Sequence, residues 1–391
     1  MSETDEFEAI RPFRDEELPG AVARLLADDE FLDLVVRYRF PGAPAFARPL
    51  LSWATARWIA ARARRYRTID AFQVSLESWF DRMIETTTDG FTWSGAEGLR
   101  RDGAHLFVSN HRDIAMDSAF MNVALHAEGL GTSRIAVGDN LLKKDFATTL
   151  MRLNKSFVVR RSVKGVREQL AAFTLTSRYL HHSIGEGVSV WIAQREGRAK
   201  DGRDVTEPAI VKMFHVSQRK SGRSFPEVIA SLHVVPVAIS YELDPCDTLK
   251  ARELAVRETT GTYEKPDDED LKSIVRGITG EKGRVHLHFG EELVAPPEDP
   301  DAVAAEIDRQ IHAGFRLWPT QLAAYRRLGG TVPAALAEEV GEASEAVRRA
   351  FDARQEGLTE VERRWFLRQY AAPVAFRLGE EPPSGGEALD V

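Results

Sequence analysis

A single cysteine, Cys246, stands among 391 residues, so no disulfide can form within the chain. That suits a reducing compartment. No stretch reaches the ~18 consecutive apolar residues of a spanning helix, which points to a chain that is soluble or lies on a membrane without crossing it. The opening residues, MSETDEFEAI, are acidic and polar. They lack the basic start and apolar run of a secretory signal. The expected location is therefore cytoplasmic, with room for peripheral contact at the inner face of the membrane. A basic excess is missing too: the formal net charge is −8, which argues against a nucleic-acid partner. Apolar residues are plentiful, at 43%, enough to bury a sizeable core.

The charge is unevenly spread. Residues 46–67 hold six arginines and no acid, interleaved with Leu50, Leu51, Trp53, Trp58 and Ile59. Such a segment can lie in the lipid headgroup layer, arginines toward anionic lipid and rings toward the acyl boundary. Arginines fall on several sides of its helical projection, which long side chains accommodate by snorkelling.

Hydrophobic periodicity divides the chain into four parts. Residues 1–88 read as an N-terminal helical region, punctuated by Pro41, Gly42 and Pro44. Residues 45–88 hold two helices, the second carrying Phe72, Leu76, Trp79, Phe80 and Met83. From residue 89 to 328, short apolar strands alternate with helices. The strands fall near 91–93, 105–109, 134–137, 157–159, 188–193, 232–241 and 284–289. That alternation predicts an α/β fold, a mixed sheet flanked by helices, with a parallel portion. Residues 329–378 form a C-terminal helical appendage after Gly329-Gly330. Residues 379–391 are polar, rich in Gly and Pro, and expected to be disordered. No internal repeat is found.

The richest chemistry lies in Asn110-His111-Arg112-Asp113-Ile114-Ala115-Met116-Asp117. It follows an apolar strand and precedes a helix, the place where ligands collect in open α/β sheets. A neutral imidazole there can take a proton from a substrate hydroxyl, because its unperturbed pKa near 6.5 suits the task. A carboxylate on its other ring nitrogen would fix the tautomer and stabilise the imidazolium. Asp117 and Asp113 are the local candidates. The plain structural alternative is a helix-capping His beside an Asp113–Arg112 pair.

This segment resembles the first motif of the glycerolipid acyltransferases, the superfamily of glycerol-3-phosphate and lysophosphatidic acid acyltransferases, where the pattern is Asn-His-x-x-x-x-Asp. The resemblance covers about residues 90–295 and rests on four blocks in order. Asp117 lies one residue later than that pattern, so the helix start needs a bulge to bring it back, since one residue turns a helix by ~100°. The second block, Phe157-Val158-Val159-Arg160-Arg161-Ser162, resembles the family's strand ending in a basic residue. The resemblance implies that Arg161, with Arg160 beside it, binds the acceptor's phosphate, for which a guanidinium fork is suited. The third, Trp191-Ile192-Ala193-Gln194-Arg195-Glu196-Gly197-Arg198, resembles Phe-Pro-Glu-Gly-Thr-Arg. Glu196 and Gly197 match, Arg195 replaces the proline, and Arg198 stands at the threonine position. It implies that Glu196, Gly197 and Arg198 contact substrate. The fourth, residues 234–239, resembles the family's Val-Pro-Val strand.

The resemblance implies an O-acyltransferase (1-acylglycerol-3-phosphate O-acyltransferase-like). Its donor is a thioester on coenzyme A or acyl-carrier protein, with no other cofactor. Its acceptor is the hydroxyl of a glycerophosphate or lysophospholipid. His111 would deprotonate that hydroxyl, and backbone N–H groups at a helix start would meet the oxyanion. Two alternatives stay open: acylation of an aminolipid or other hydroxyl acceptor, and a non-catalytic lipid- or acyl-carrier-binding protein of the same fold. Cys246 lies outside the blocks and is not expected to be a nucleophile. His286 and His288 share a strand face, and His181-His182 end a helix. No third ligand accompanies either pair, so no metal is expected.

Overall fold

The computed structural model describes residues 6–383. The chain falls into two compact units, each discontinuous in sequence. One comprises the residues up to Asp81 with Ser133–Tyr179; the other comprises Arg82–Thr132 and the residues from Leu180 onward. The strands are β1 (Phe91–Ser94), β2 (Leu106–Ser109), β3 (Arg134–Gly138), β4 (Ser156–Val159), β5 (Val190–Ala193), β6 (Val234–Tyr241) and β7 (Val285–Phe289). All lie at or within two residues of the expected positions.

In the first unit, β3 and β4 pair in parallel. Two of its helices begin where short polar side chains satisfy their free amides. Asp28 accepts from Phe31 N (2.9 Å), and Thr68 Oγ1 from Ala71 N (3.1 Å). The helix expected through residues 72–83 is interrupted. It appears as Ile69–Val74 and Glu77–Thr87, because Ser75 Oγ turns back to the Phe72 carbonyl (2.6 Å). Serine competes in this way with the backbone ladder. The Arg48–Ala63 helix buries none of its residues. Phe46 is 87% exposed, Leu50 68%, Trp53 61% and Trp58 63%. Arg57 stacks over Trp53 and Arg62 over Trp58.

The second unit is built on strands in the order β1-β7-β6-β2-β5. Neighbours run parallel except for β6 and β7, which are antiparallel, so the sheet is mixed, as its strand pattern implied. The central strands β2 and β6 are buried along their whole length. That is why they read as continuous apolar runs rather than as alternation. Pro236 is tolerated in β6 because the ladder to β7 begins one residue later, at Val237↔Phe289. A missing N–H costs nothing there.

The C-terminal residues pack into this unit. The Glu360–Leu378 helix buries a run from Trp365 to Ala375 against the Pro319–Arg327 and Asp247–Thr260 helices. Phe351, Phe366 and Tyr370 form one aromatic cluster. Gly202 lies directly under this helix: a Cβ there would fall 2.3 Å from the Gln369 carbonyl oxygen. The tail expected to be disordered lies outside the described residues from 384 on.

Candidate active site

The first motif is held by both neighbours of β2. At its end, the Asn110 side chain accepts from Ile239 N (2.8 Å) and donates to Ile239 O (3.1 Å), clamping the turn to β6. It also donates to Asp204 (3.2 Å). On the other side, Ala199 N donates to the His111 carbonyl (2.8 Å), so the third block holds His111 in place. The His111 ring meets Trp191 edge-on, with centroids 5.7 Å apart.

His111 Nδ1 lies 2.9 Å from Asp117 Oδ2. The Asp117 side chain is 0% exposed and that of His111 13%. An ionised carboxylate can only accept, so Nδ1 carries the proton and Nε2 presents its lone pair. Among the described residues, nothing hydrogen-bonds to Nε2. Asp117 Oδ2 also accepts from Arg112 N (2.7 Å) and Asp113 N (2.9 Å), and Oδ1 accepts from the Tyr241 hydroxyl (2.8 Å).

The extra residue in the motif is absorbed by Asp113. Its Oδ1 accepts from Ala115 N (3.0 Å) and Met116 N (2.9 Å), starting the Met116–Ala127 helix so that Asp117 turns back to the imidazole. Asp113 therefore does not face the His111 ring. Its other oxygen is buried without a hydrogen-bond partner against Gly277, where a Cβ would fall 2.3 Å from it. Burial, and then the charge of Asp117, raises the Asp113 carboxyl above its usual range. The amides of Arg112, Asp113, Ala115 and Met116 are spent on the two aspartates, so these helix-start N–H groups cannot meet an oxyanion.

The motif rests on buried charges. Arg112 donates to the Gly202 carbonyl (3.1 Å) and to Asp204, and stacks over Phe315. Lys250 donates to the Arg112 carbonyl (2.7 Å) and pairs with Asp244. Burial pushes the Asp244 carboxyl up, but Lys250 outweighs it and holds it below the ordinary range. Tyr241, Asp204 and Lys250 escaped the sequence reading. Only Tyr241 had a local signal, as the polar end of the fourth block's strand.

The third block follows β5. Gly197 adopts φ +73°, the left-handed region that favours glycine. Glu196 is exposed. Arg198 reaches Ser273 Oγ at 3.4 Å, and its Nη1 is buried without a partner. The second block lies in the other unit, at the end of β4. Asp139 accepts there from Arg161 N (3.1 Å) and from Ser162 N and Oγ. Among the described residues, neither the Arg160 nor the Arg161 guanidinium has an ion pair.

The remaining candidates have ordinary partners. His181 bonds the Phe214 carbonyl (2.9 Å). Ser94 Oγ bridges His286 Nε2 (3.1 Å) and His288 Nδ1 (2.9 Å), and Thr92 meets His286 Nδ1 (2.8 Å). No group of three or more metal-type ligands occurs among the described residues. Cys246 is buried, and burial, then Asp113 and Asp244, pushes its thiol up to about 12. It is a poor nucleophile.

Residues 90–240 match the family model described as Acyltransferase. The chain carries an acyltransferase domain over these residues. Among solved structures, the chain is similar to the 1-acyl-sn-glycerophosphate (LPA) acyltransferase PlsC from Thermotoga maritima. The identity is 14%, the TM-score 0.32, and the alignment covers 77% of this chain and 94% of that one. No curated protein matches the chain in sequence. No described helix is long and apolar enough to cross a membrane.

Proposed function

We propose that this acyltransferase transfers a fatty acyl group to the hydroxyl of a glycerophosphate or lysophospholipid-like acceptor. The donor is a thioester on coenzyme A or acyl-carrier protein. The observation that carries this reading is the His111–Asp117 pair, with the carboxylate buried and bonded to Nδ1 and with Nε2 unencumbered. His111 Nε2 takes the proton of the acceptor hydroxyl, and the oxygen attacks the thioester carbonyl. The tetrahedral adduct collapses, breaking the C–S bond, and the leaving thiolate takes its proton from the imidazolium. No acyl-enzyme forms, in keeping with the inert Cys246. Arg160 and Arg161, with free guanidinium forks, are the residues we assign to the acceptor's phosphate. Glu196, Gly197 and Arg198 are assigned to substrate contact, and the unpartnered Arg198 Nη1 is a donor suited to an anionic group. The exposed rings and arginines of the Arg48–Ala63 helix are assigned to the membrane surface, which brings the enzyme to its lipid acceptor.

His111→Ala should lower acyl transfer by about 10²–10⁴-fold with the fold retained, checked by turnover with labelled donors and by circular dichroism. Unchanged turnover would reject His111 as the base. An acceptor screen across glycerol-3-phosphate, lysophosphatidate and amino-acid lipids, with both donor carriers, identifies the substrates. Preference for a phosphate-free aminolipid would overturn the phosphate assignment.

A further inference from the structure

Asp117 has four hydrogen-bond donors, and three of them belong to the loop it serves. His111 Nδ1, Arg112 N and Asp113 N all reach Oδ2. A carboxylate held only by such partners would move wherever the loop moves, and its terminal torsion is soft. The fourth donor, the Tyr241 hydroxyl on Oδ1, comes from a different element. Tyr241 ends β6, a central strand. Its carbonyl accepts from Gln321 Nε2 (2.9 Å), and two residues earlier Ile239 is clamped by Asn110. Phe120, on the helix that carries Asp117, packs edge-on against the Tyr241 ring at 6.0 Å.

The geometry points to Tyr241 as a positioning residue for acyl transfer: its hydroxyl fixes the Asp117 carboxylate to the sheet so that Oδ2 stays aimed at His111 Nδ1. This rests on the reading of His111 as the base. The hydroxyl has a second effect. By accepting this bond, Asp117 spreads its charge toward the sheet, and so orients the imidazole without binding its proton too tightly. The charged groups around the pair are Asp113, Asp244, Arg112, Arg198 and Lys250. Burial, and then the charge of Asp117, raises the Tyr241 phenol well above its ordinary value, so it remains a donor across the working pH range. Without it, Oδ1 would be buried and unpaired, and more of the carboxylate charge would fall on the imidazole.

The test is Tyr241→Phe, which removes one oxygen from a buried ring. We expect kcat at neutral pH to fall about tenfold with KM little changed, and the acid limb of the kcat–pH profile to move up by roughly half to one pH unit. In an Asp117→Ala background the same change should cost nothing further, because the hydroxyl acts through that carboxylate. An unaltered rate and profile, or a loss that multiplies with that of Asp117→Ala, would overturn the proposal. Replacing all seven tyrosines by 3-fluorotyrosine strengthens the donor without emptying the site. It should shift the acid limb downward, and no shift would count against the proposal even if Tyr241→Phe does not fold. If His111→Ala is active, the base assignment has failed. If His111→Ala is dead and Tyr241→Phe is silent, only this inference has.

Discussion

The charge of this chain is used in two opposite ways. Around His111 it is buried and paired: Asp117 takes four hydrogen bonds, and Arg112, Asp204, Lys250 and Asp244 are locked beneath the motif. On the Arg48–Ala63 helix it is exposed beside uncovered rings, and at the exposed Arg160 and half-buried Arg161 it has no ion pair among the described residues. Burial makes a charge precise, because an unmet group there is costly. Exposure makes it cheap to keep and available to a partner. Substitutions in the first region should therefore change chemistry and stability, and substitutions in the second should change binding alone.

The largest expected effect separates the two aspartates. Asp117→Asn should reduce turnover by roughly 10²-fold or more, because the wrong imidazole tautomer is then favoured. Asp113→Ala should cost mainly helix-capping stability, about 1 kcal/mol, and leave most of the turnover. Equal losses in a steady-state assay would mean that the pairing seen here is not the working one. Next is Gly202→Ala, where backbone strain at φ +81° and the Gln369 carbonyl at 2.3 Å coincide. A melting experiment should show destabilisation of about 2–3 kcal/mol, with activity falling because Arg112 leans on Gly202. Activity kept despite the lower Tm would uncouple that brace from the motif.

A pH effect belongs to the buried region as well. Burial first, then Arg316 and His288, lowers the His286 imidazole to about 4, so the folded state resists the proton that an unfolded histidine takes up near 6.5. Its contribution is intact above about pH 6.5 and is lost as the pH falls toward 4, amounting to at most about 3 kcal/mol. Urea titrations of His286→Asn should show a flatter pH dependence across that window; the same slope as the parent would exclude His286 as its source.

The exposed region should give the smallest changes in stability. Arg161→Ala should raise KM for a phosphorylated acceptor about tenfold or more and leave the Tm within a few degrees, because its half-buried guanidinium has no ion pair to lose among the described residues. Trp53→Ala with Trp58→Ala should weaken flotation with anionic vesicles, again without loss of Tm. A large drop in Tm for either would show that these side chains are structural and would break the contrast.

Much of this was legible in the residues alone. The strands could be placed because an apolar run such as Val234 to Tyr241 is dictated by burial on both faces, and burial leaves its mark on composition. His111, and separately the basic and Glu-Gly blocks, stood out as candidates because the proposed chemistry needs particular side chains at strand ends. The strand order could not be read, since it depends on which elements meet after long connections. Tertiary structure also chose Asp117 over Asp113. Spacing counts residues, whereas the Asp113 side chain shifted the helix start by bonding two amides and filling the space at Gly277. Tyr241 reaches Asp117 from 124 positions further along the chain, and Arg112 depends on a loop roofed by the C-terminal helix. Contacts of that kind are set by packing, and no local pattern encodes them.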